Sequence, residues 1–103
     1  MDKVRLAATK ILYNVAAKEA YSNVELAQVL RQERFSELNR KFCTELVYGT
    51  AKAGASLDWK IAKYLKRSLA KVDEKILAVL RVGFYQIFFL DRVPNSAAVN
   101  ESV

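Results

Sequence analysis

Histidine is absent from this sequence of 103 residues, and cysteine occurs once, at Cys43. A zinc centre of the usual Cys/His kind is thereby excluded, as is an internal disulfide, and a lone thiol fits a reducing compartment. Three scattered glycines and a single proline, Pro94, supply neither a phosphate-cradling loop nor the material for many tight turns. The longest apolar runs, ILAVL and IFFL, are bounded by Arg81, Gln86 and Asp91, so no stretch is expected to span a bilayer. The opening MDKVRLAATK has positive charge but neither a contiguous apolar stretch nor a cleavage site, and does not read as a secretory signal. The expectation is one soluble, cytoplasmic domain with no membrane partner.

What is present favours helix. Alanine, leucine, lysine, arginine and glutamate are plentiful, and no segment alternates as a strand between hairpin turns. Seventeen Lys and Arg against eleven Asp and Glu give a net charge of +6. Such a balance raises affinity for phosphates without sequence information, so nucleic acid is the leading kind of partner, weighed against an ordinary solvated basic surface.

Periodicity divides the chain into five helices and the start of a sixth. From about Lys3 to Lys18, Val4, Ala8, Ile11, Leu12 and Val15 share one face, while Lys3, Lys10, Asn14 and Lys18 gather on another with Tyr13 at its border. Ser22 and Glu25 form an expected capping box for a second helix with an apolar stripe of Val24, Ala27 and Leu30. Ser36 is expected to cap a third helix that buries Leu38, Phe42, Leu46, Val47 and Thr50 and ends at Gly54. Gly49 lies inside this run, where glycine implies close approach of another helix or a kink. Ser56 is expected to open a fourth helix, with Ile61, Tyr64 and Leu65 on one side and Lys60, Lys63 and Arg67 in a narrow arc. Asp73 and Glu74 favour a fifth helix start through the helix dipole. That fifth helix carries Ile76, Leu77, Leu80, Gly83, Phe84, Ile87 and Phe88 over more than half its circumference, with Val82 and Phe89 on the remaining side, and is expected to be central.

No catalytic constellation emerges. Cys43 has no histidine to activate it and reads as a buried structural thiol. Asp58, Asp73, Glu74 and Asp91 mostly sit at expected helix ends, where capping explains them better than acid–base work. The two basic stripes are the candidates that remain, because mobile cations along a track suit backbone phosphates and a neighbouring aromatic can stack an unpaired base.

Two longer stretches carry a family resemblance: ELVYGTAKAGASLDWKI, from Glu45 to Ile61, and LRVGFYQIFFLDRVPNSAAVNESV, from Leu80 to Val103. They resemble the NusB-like helical domain, most closely the version at the N-terminus of the Sun/RsmB ribosomal RNA small-subunit cytosine-C5 methyltransferases. The residues that match are Phe42, Glu45 to Thr50, Leu57 and Asp58, then Leu80, Arg81, Gly83, Tyr85, Gln86, Phe89, Leu90, Asp91, Pro94 and Ala97 to Glu101, with Arg5, Ala8 and Leu12 near the N-terminus. The resemblance implies an all-α, NusB-like single domain over residues 1–103 that helps bind or orient ribosomal RNA. The S-adenosylmethionine-dependent chemistry would belong to a catalytic domain of the parent protein that this chain does not contain, so the chain itself would hold no cofactor and no metal.

The candidate RNA-binding residues are Lys3, Arg5, Lys10, Tyr13, Lys18, Lys60, Lys63 and Arg67. The stand-alone antitermination factors of the family are arginine-rich in the first helix, whereas this helix relies on lysine, which offers a point charge without a bidentate fork and so suits backbone steering. Two alternatives accompany the leading reading: an antitermination factor binding RNA with a ribosomal protein, and a protein-interaction bundle without an RNA role that docks on its own methyltransferase domain. At the C-terminal end, Pro94 precedes an expected sixth helix starting at Asn95 or Ser96, with Val99 and Val103 opening its apolar stripe. Family members continue this helix and add another. The resemblance therefore implies that the helix is cut short at about residues 95–103, leaving an apolar groove through which a homodimer could form.

Overall fold

The structure, a computed structural model, describes residues 2–18 and 21–90. Helix α1 spans Lys3–Lys18 and is started by Asp2, whose Oδ1 accepts the Arg5 N–H at 2.8 Å. Helix α2 spans Ser22–Gln32. Its N-cap is Tyr21, in extended backbone with no side-chain cap, rather than the expected Ser22, which is the first residue inside the helix. The helix begins one residue early, and the Glu25 carboxylate is used differently: it accepts from Asn14 Nδ2 at 3.3 Å and ties α2 to α1.

Helix α3 is the long element, Glu37–Leu65, capped by Ser36 Oγ accepting from the Asn39 N–H at 3.1 Å. The expected third and fourth helices are the two arms of this one element, joined at Gly54, whose φ of 42° and ψ of −118° are not helical. A Cβ at Gly54 would meet nothing within 4 Å, so it is the backbone conformation that demands glycine there. One such residue kinks the run without supplying the extended segment that a new N-cap needs, and Ser56 sits inside α3. Gly49 has the other reason for being glycine. Its missing Cβ would fall 2.0 Å from Tyr85 Oη, so the close approach expected from the sequence is real and comes from α4.

Lys66 ends α3 in the left-handed region, φ 57°, with its N–H bonded to Ala62 O at 2.9 Å. A 3-10 turn, Leu69–Lys71, leads to α4, Glu74–Phe89, which Asp73 caps by accepting the Lys75 N–H at 2.9 Å. Among the described residues the chain thus has four α-helices rather than five. The expected sixth helix, its bare groove and a dimer through it fall on residues 91–103, outside the described residues.

Helices α1, α3 and α4 each pack on the other two, and α2 lies across α1 with a lighter contact to α3. Ile11 of α1, Leu46, Leu57 and Ile61 of α3 and Val82 of α4 are fully buried where they meet. Each such side chain contributes about 1.5–3 kcal/mol relative to an exposed one. The expected α1 face is correct, with Val4, Ala8 and Ile11 buried and Leu12 and Val15 half-buried.

Elsewhere the expected faces are rotated. In α2 the inward residues are Leu26, Val29 and Leu30, while Val24 and Ala27 are exposed. The Leu26–Val29–Leu30 set offers more apolar area to α1 at the same helical spacing. Leu38, in the first turn of α3, is exposed, as are Tyr64, Ile76, Phe88 and Phe89. Of the two residues expected on the remaining side of the last helix, Val82 is fully buried and Phe89 is exposed. Helix α4 is apolar nearly all round, and among the described residues its main helical neighbours are α1 and α3, which leave Ile76, Phe88 and Phe89 exposed. The central positions belong to α1 and α3, which both touch every other major helix they can reach. No helix among the described residues is long and apolar enough to cross a membrane.

Candidate nucleic-acid interface

The residues that carried the family resemblance meet across helices. Arg5 Nε donates to Gln86 Oε1 at 2.8 Å, its guanidinium pairs with the Asp2 carboxylate, and it lies 5.1 Å from the centre of the Phe42 ring. Gln86, fully buried, also donates through Nε2 to Val82 O at 3.1 Å. Arg81 grips Asp58 with both prongs, Nε to Oδ1 at 2.8 Å and a terminal nitrogen to Oδ2 at 2.9 Å. Asp58 is therefore a tie between α3 and α4 rather than a helix-end acid. Together with Tyr85 against Gly49, these pairs clamp α1, α3 and α4 into one relative arrangement.

Two cationic tracks face outward from that clamp. On α1, Lys3 and Lys10 are exposed and border an open groove of about 320 Å³ against α2, beside Leu6, Val29 and Glu33. The remaining α1 candidates behave otherwise. Arg5 is turned inward, with its side chain 11% exposed. Tyr13 is half-buried, and Lys75 of α4 holds its ammonium 5.8 Å from the Tyr13 ring. The side chain of Lys18 is outside those described.

The second track runs along the C-terminal arm of α3. Lys63 Nζ sits 5.1 Å from the Trp59 ring, and Lys60 Nζ lies 5.3 Å and 5.6 Å from the rings of Phe88 and Phe89. Arg67 is exposed but lies beyond the end of α3, so it departs from the arc expected of it. Its place is taken by Lys66, which with Trp59, Lys60, Lys63, Tyr64 and Phe88 lines an open groove of about 470 Å³. Trp59, Tyr64, Lys66 and Phe88 were not among the sequence candidates. The stretch WKIAKYLK, with aromatic and lysine residues interleaved at helical spacing, was the available signal for three of them. Phe88 arrives from α4 and had none.

Cys43 stands apart from both tracks. It is fully buried, and burial pushes its thiol up from 9.0 to about 11. A thiol so protonated is a poor nucleophile and acts as a small apolar core residue.

The geometry defines a class: a small helical binding domain with an internally clamped core and outward surfaces of lysine and aromatic residues. The chain belongs to the NusB family, whose model, described as "NusB family", matches residues 2–103. It is 35% identical over 103 residues to a probable ribosomal RNA small subunit methyltransferase B of Synechocystis, covering 100% of this chain and 23% of that protein. The corresponding probable methyltransferase of Bacillus subtilis is 34% identical over 100 residues, 97% of this chain and 22% of that protein. The transcription antitermination protein NusB of Yersinia pestis is 31% identical over 102 residues, 98% of this chain and 73% of that protein. The chain thus spans less than a quarter of the length of the methyltransferases it matches.

Proposed function

We propose that this chain is the RNA-binding accessory domain of a small-subunit ribosomal RNA cytosine-C5 methyltransferase acting in the cytoplasm. The observation that carries the proposal is the match of 97% or more of the chain to under a quarter of each of two probable ribosomal RNA small subunit methyltransferases B, in the same molecule as two outward lysine tracks. The methyl donor, S-adenosylmethionine, would be held by a catalytic domain outside this chain. The residues here do not suit it: Gly49 is pressed on Tyr85 and Gly54 forms a helix kink, so neither belongs to a cofactor loop. The role of the domain is to raise the local concentration of ribosomal RNA near the catalytic domain, using lysines that neutralise backbone phosphates.

Binding of ribosomal RNA fragments across a range of salt concentrations tests this. Neutralising about three to five phosphates predicts a log K against log salt slope of roughly −2 to −4. Lys10→Glu should lower the magnitude of that slope by about one unit while leaving the fold intact. No binding to stem or loop fragments at low salt would overturn the proposal.

The second reading, a stand-alone antitermination factor partnered by a ribosomal protein, is favoured by the coverage of 73% of the Yersinia protein. The reading frame after Val103 discriminates: several hundred residues with a cofactor loop support the methyltransferase, whereas one more pair of helices and a stop support the factor.

A further inference from the structure

The two tracks differ in what surrounds their cations. The α1 groove includes Glu33 and no aromatic side chain among the described residues that line it, and Tyr13, on the same helix, is half-buried outside it. Among the described residues, the groove at the end of α3 is lined by no acidic residue. Its aromatic side chains stand out of the protein, Trp59 being 65% and Tyr64 66% exposed. Tyr64 in turn packs edge-on or tilted against Phe84 and Phe88, with the three ring centroids 5.6 to 6.0 Å apart, so an aromatic cluster backs the groove.

We propose that this groove is a stacking subsite for an unpaired nucleotide, with Trp59 and Tyr64 receiving the base and Lys63 and Lys66 receiving the flanking phosphates. The proposal deepens the RNA-binding reading and rests on it. Single-stranded RNA offers planar faces and phosphates alternately, and the groove sets the rings of Trp59 and Tyr64 among the ammonium groups of Lys60, Lys63 and Lys66. The Lys63 ammonium lies 5.1 Å from the Trp59 ring, so a base on that ring would have its own backbone within reach of the same lysine. Duplex RNA keeps its bases stacked inside and has no free face to offer. A protein partner is the competing occupant, and the lysines argue against it. Lysine is depleted from the dry centres of protein interfaces, because removing an ammonium from water without a counter-charge is unfavourable. A phosphate keeps each ammonium paired as the base covers the ring.

Trp59 is the chain's sole tryptophan, so its fluorescence reports on this groove alone. The experiment titrates the chain with a short single-stranded ribosomal RNA oligonucleotide, the same sequence as a duplex, and poly-glutamate. The expected result is quenching of Trp59 by the single strand, with much weaker quenching by the duplex and by poly-glutamate. Trp59→Ala should reduce affinity for the single strand about tenfold, as expected for loss of one stacked base. It should leave the salt slope unchanged, whereas Lys63→Glu with Lys66→Glu should reduce it. RNA binding that persists with Trp59 fluorescence unaltered, and is insensitive to both variants, overturns the subsite but leaves the RNA-binding reading standing. Absence of RNA binding altogether overturns both. Stronger quenching by poly-glutamate than by RNA overturns the subsite in favour of an acidic protein segment.

Discussion

Arg5 and Lys63 have the same local geometry and opposite circumstances. Each places its cation 5.1 Å from the centre of an aromatic ring, Arg5 over Phe42 and Lys63 over Trp59. Around Arg5 three helices converge: its side chain is 11% exposed, and it also bonds to Gln86 of α4 and to Asp2. Lys63 is exposed and lines an open groove between the end of α3 and Phe88 of α4, and the ring beneath it is exposed. A cation–aromatic pair is therefore a tie within the fold in one place and an open surface in the other. What decides between them is the number of further groups that packing brings to the cation, a matter on which the pair itself is silent.

The comparison is broken most severely by loosening the clamp that both regions depend on. Gly49→Ala would set a methyl group 2.0 Å from Tyr85 Oη and 2.8 Å from the edge of its ring. The ring is buried and must move with part of α4, so a loss of about 3 kcal/mol is expected. In a thermal unfolding scan the midpoint should fall by roughly 10–20 °C. A variant as stable as the parent would mean that α4 does not lie as closely on α3 as the structure has it.

A smaller effect sharpens the contrast itself. Arg5→Ala removes hydrogen bonds to Asp2 and Gln86 and should destabilise the domain by about 2 kcal/mol. RNA affinity, measured where parent and variant are both folded, should be essentially unchanged. Arg5→Lys should restore little of the stability, since an ammonium cannot reproduce the fork. If Arg5→Ala instead weakens RNA binding as much as Lys63→Glu, the inward and outward assignments are reversed.

The smallest effect concerns Cys43, fully buried within the same core. Burial raises its thiol from 9.0 to about 11, so the folded chain holds this proton more tightly than the unfolded chain. The resulting stability is fully present below pH 9.0 and is lost as pH rises towards about 11. Urea unfolding at about pH 8 and about pH 10 should show a steeper loss for the parent than for Cys43→Ala. Equal losses would mean that the thiol ionises as freely in the folded state as in the unfolded one.

Local chemistry was readable along much of the chain. Ser36 and Asp73 cap the helices they were expected to cap, and Gly54 interrupts the helix at the residue where an end was expected. Both depend on atoms only a few residues apart. Ser22 is not the N-cap because α2 begins one residue earlier than expected, and Glu25 has a partner on another helix, Asn14. The stripe on α2 was placed partly on the wrong face: Leu30 turns inward as expected, but Leu26 and Val29 join it in place of Val24 and Ala27. The grouping of Lys3 and Lys10, and of Lys60 and Lys63, followed from helical spacing. Their surroundings did not, and neither did the inward turn of Arg5, the half-burial of Tyr13 or the arrival of Phe88 beside Trp59.

By itself, the sequence determined an all-helical chain of basic charge, with a family pattern specific enough to recognise. Helix propensity, caps and glycine act over a turn or two, and a pattern of side chains can be compared without knowing what each one touches. Only the tertiary structure decided that much of the pattern is the clamp, while the outward chemistry lies largely in residues beside it. The bond from Arg5 to Gln86 joins positions 81 apart in the chain. Whether a cation is held inside or offered outward depends on such distant partners, which bring burial and a competing acceptor that no local spacing encodes.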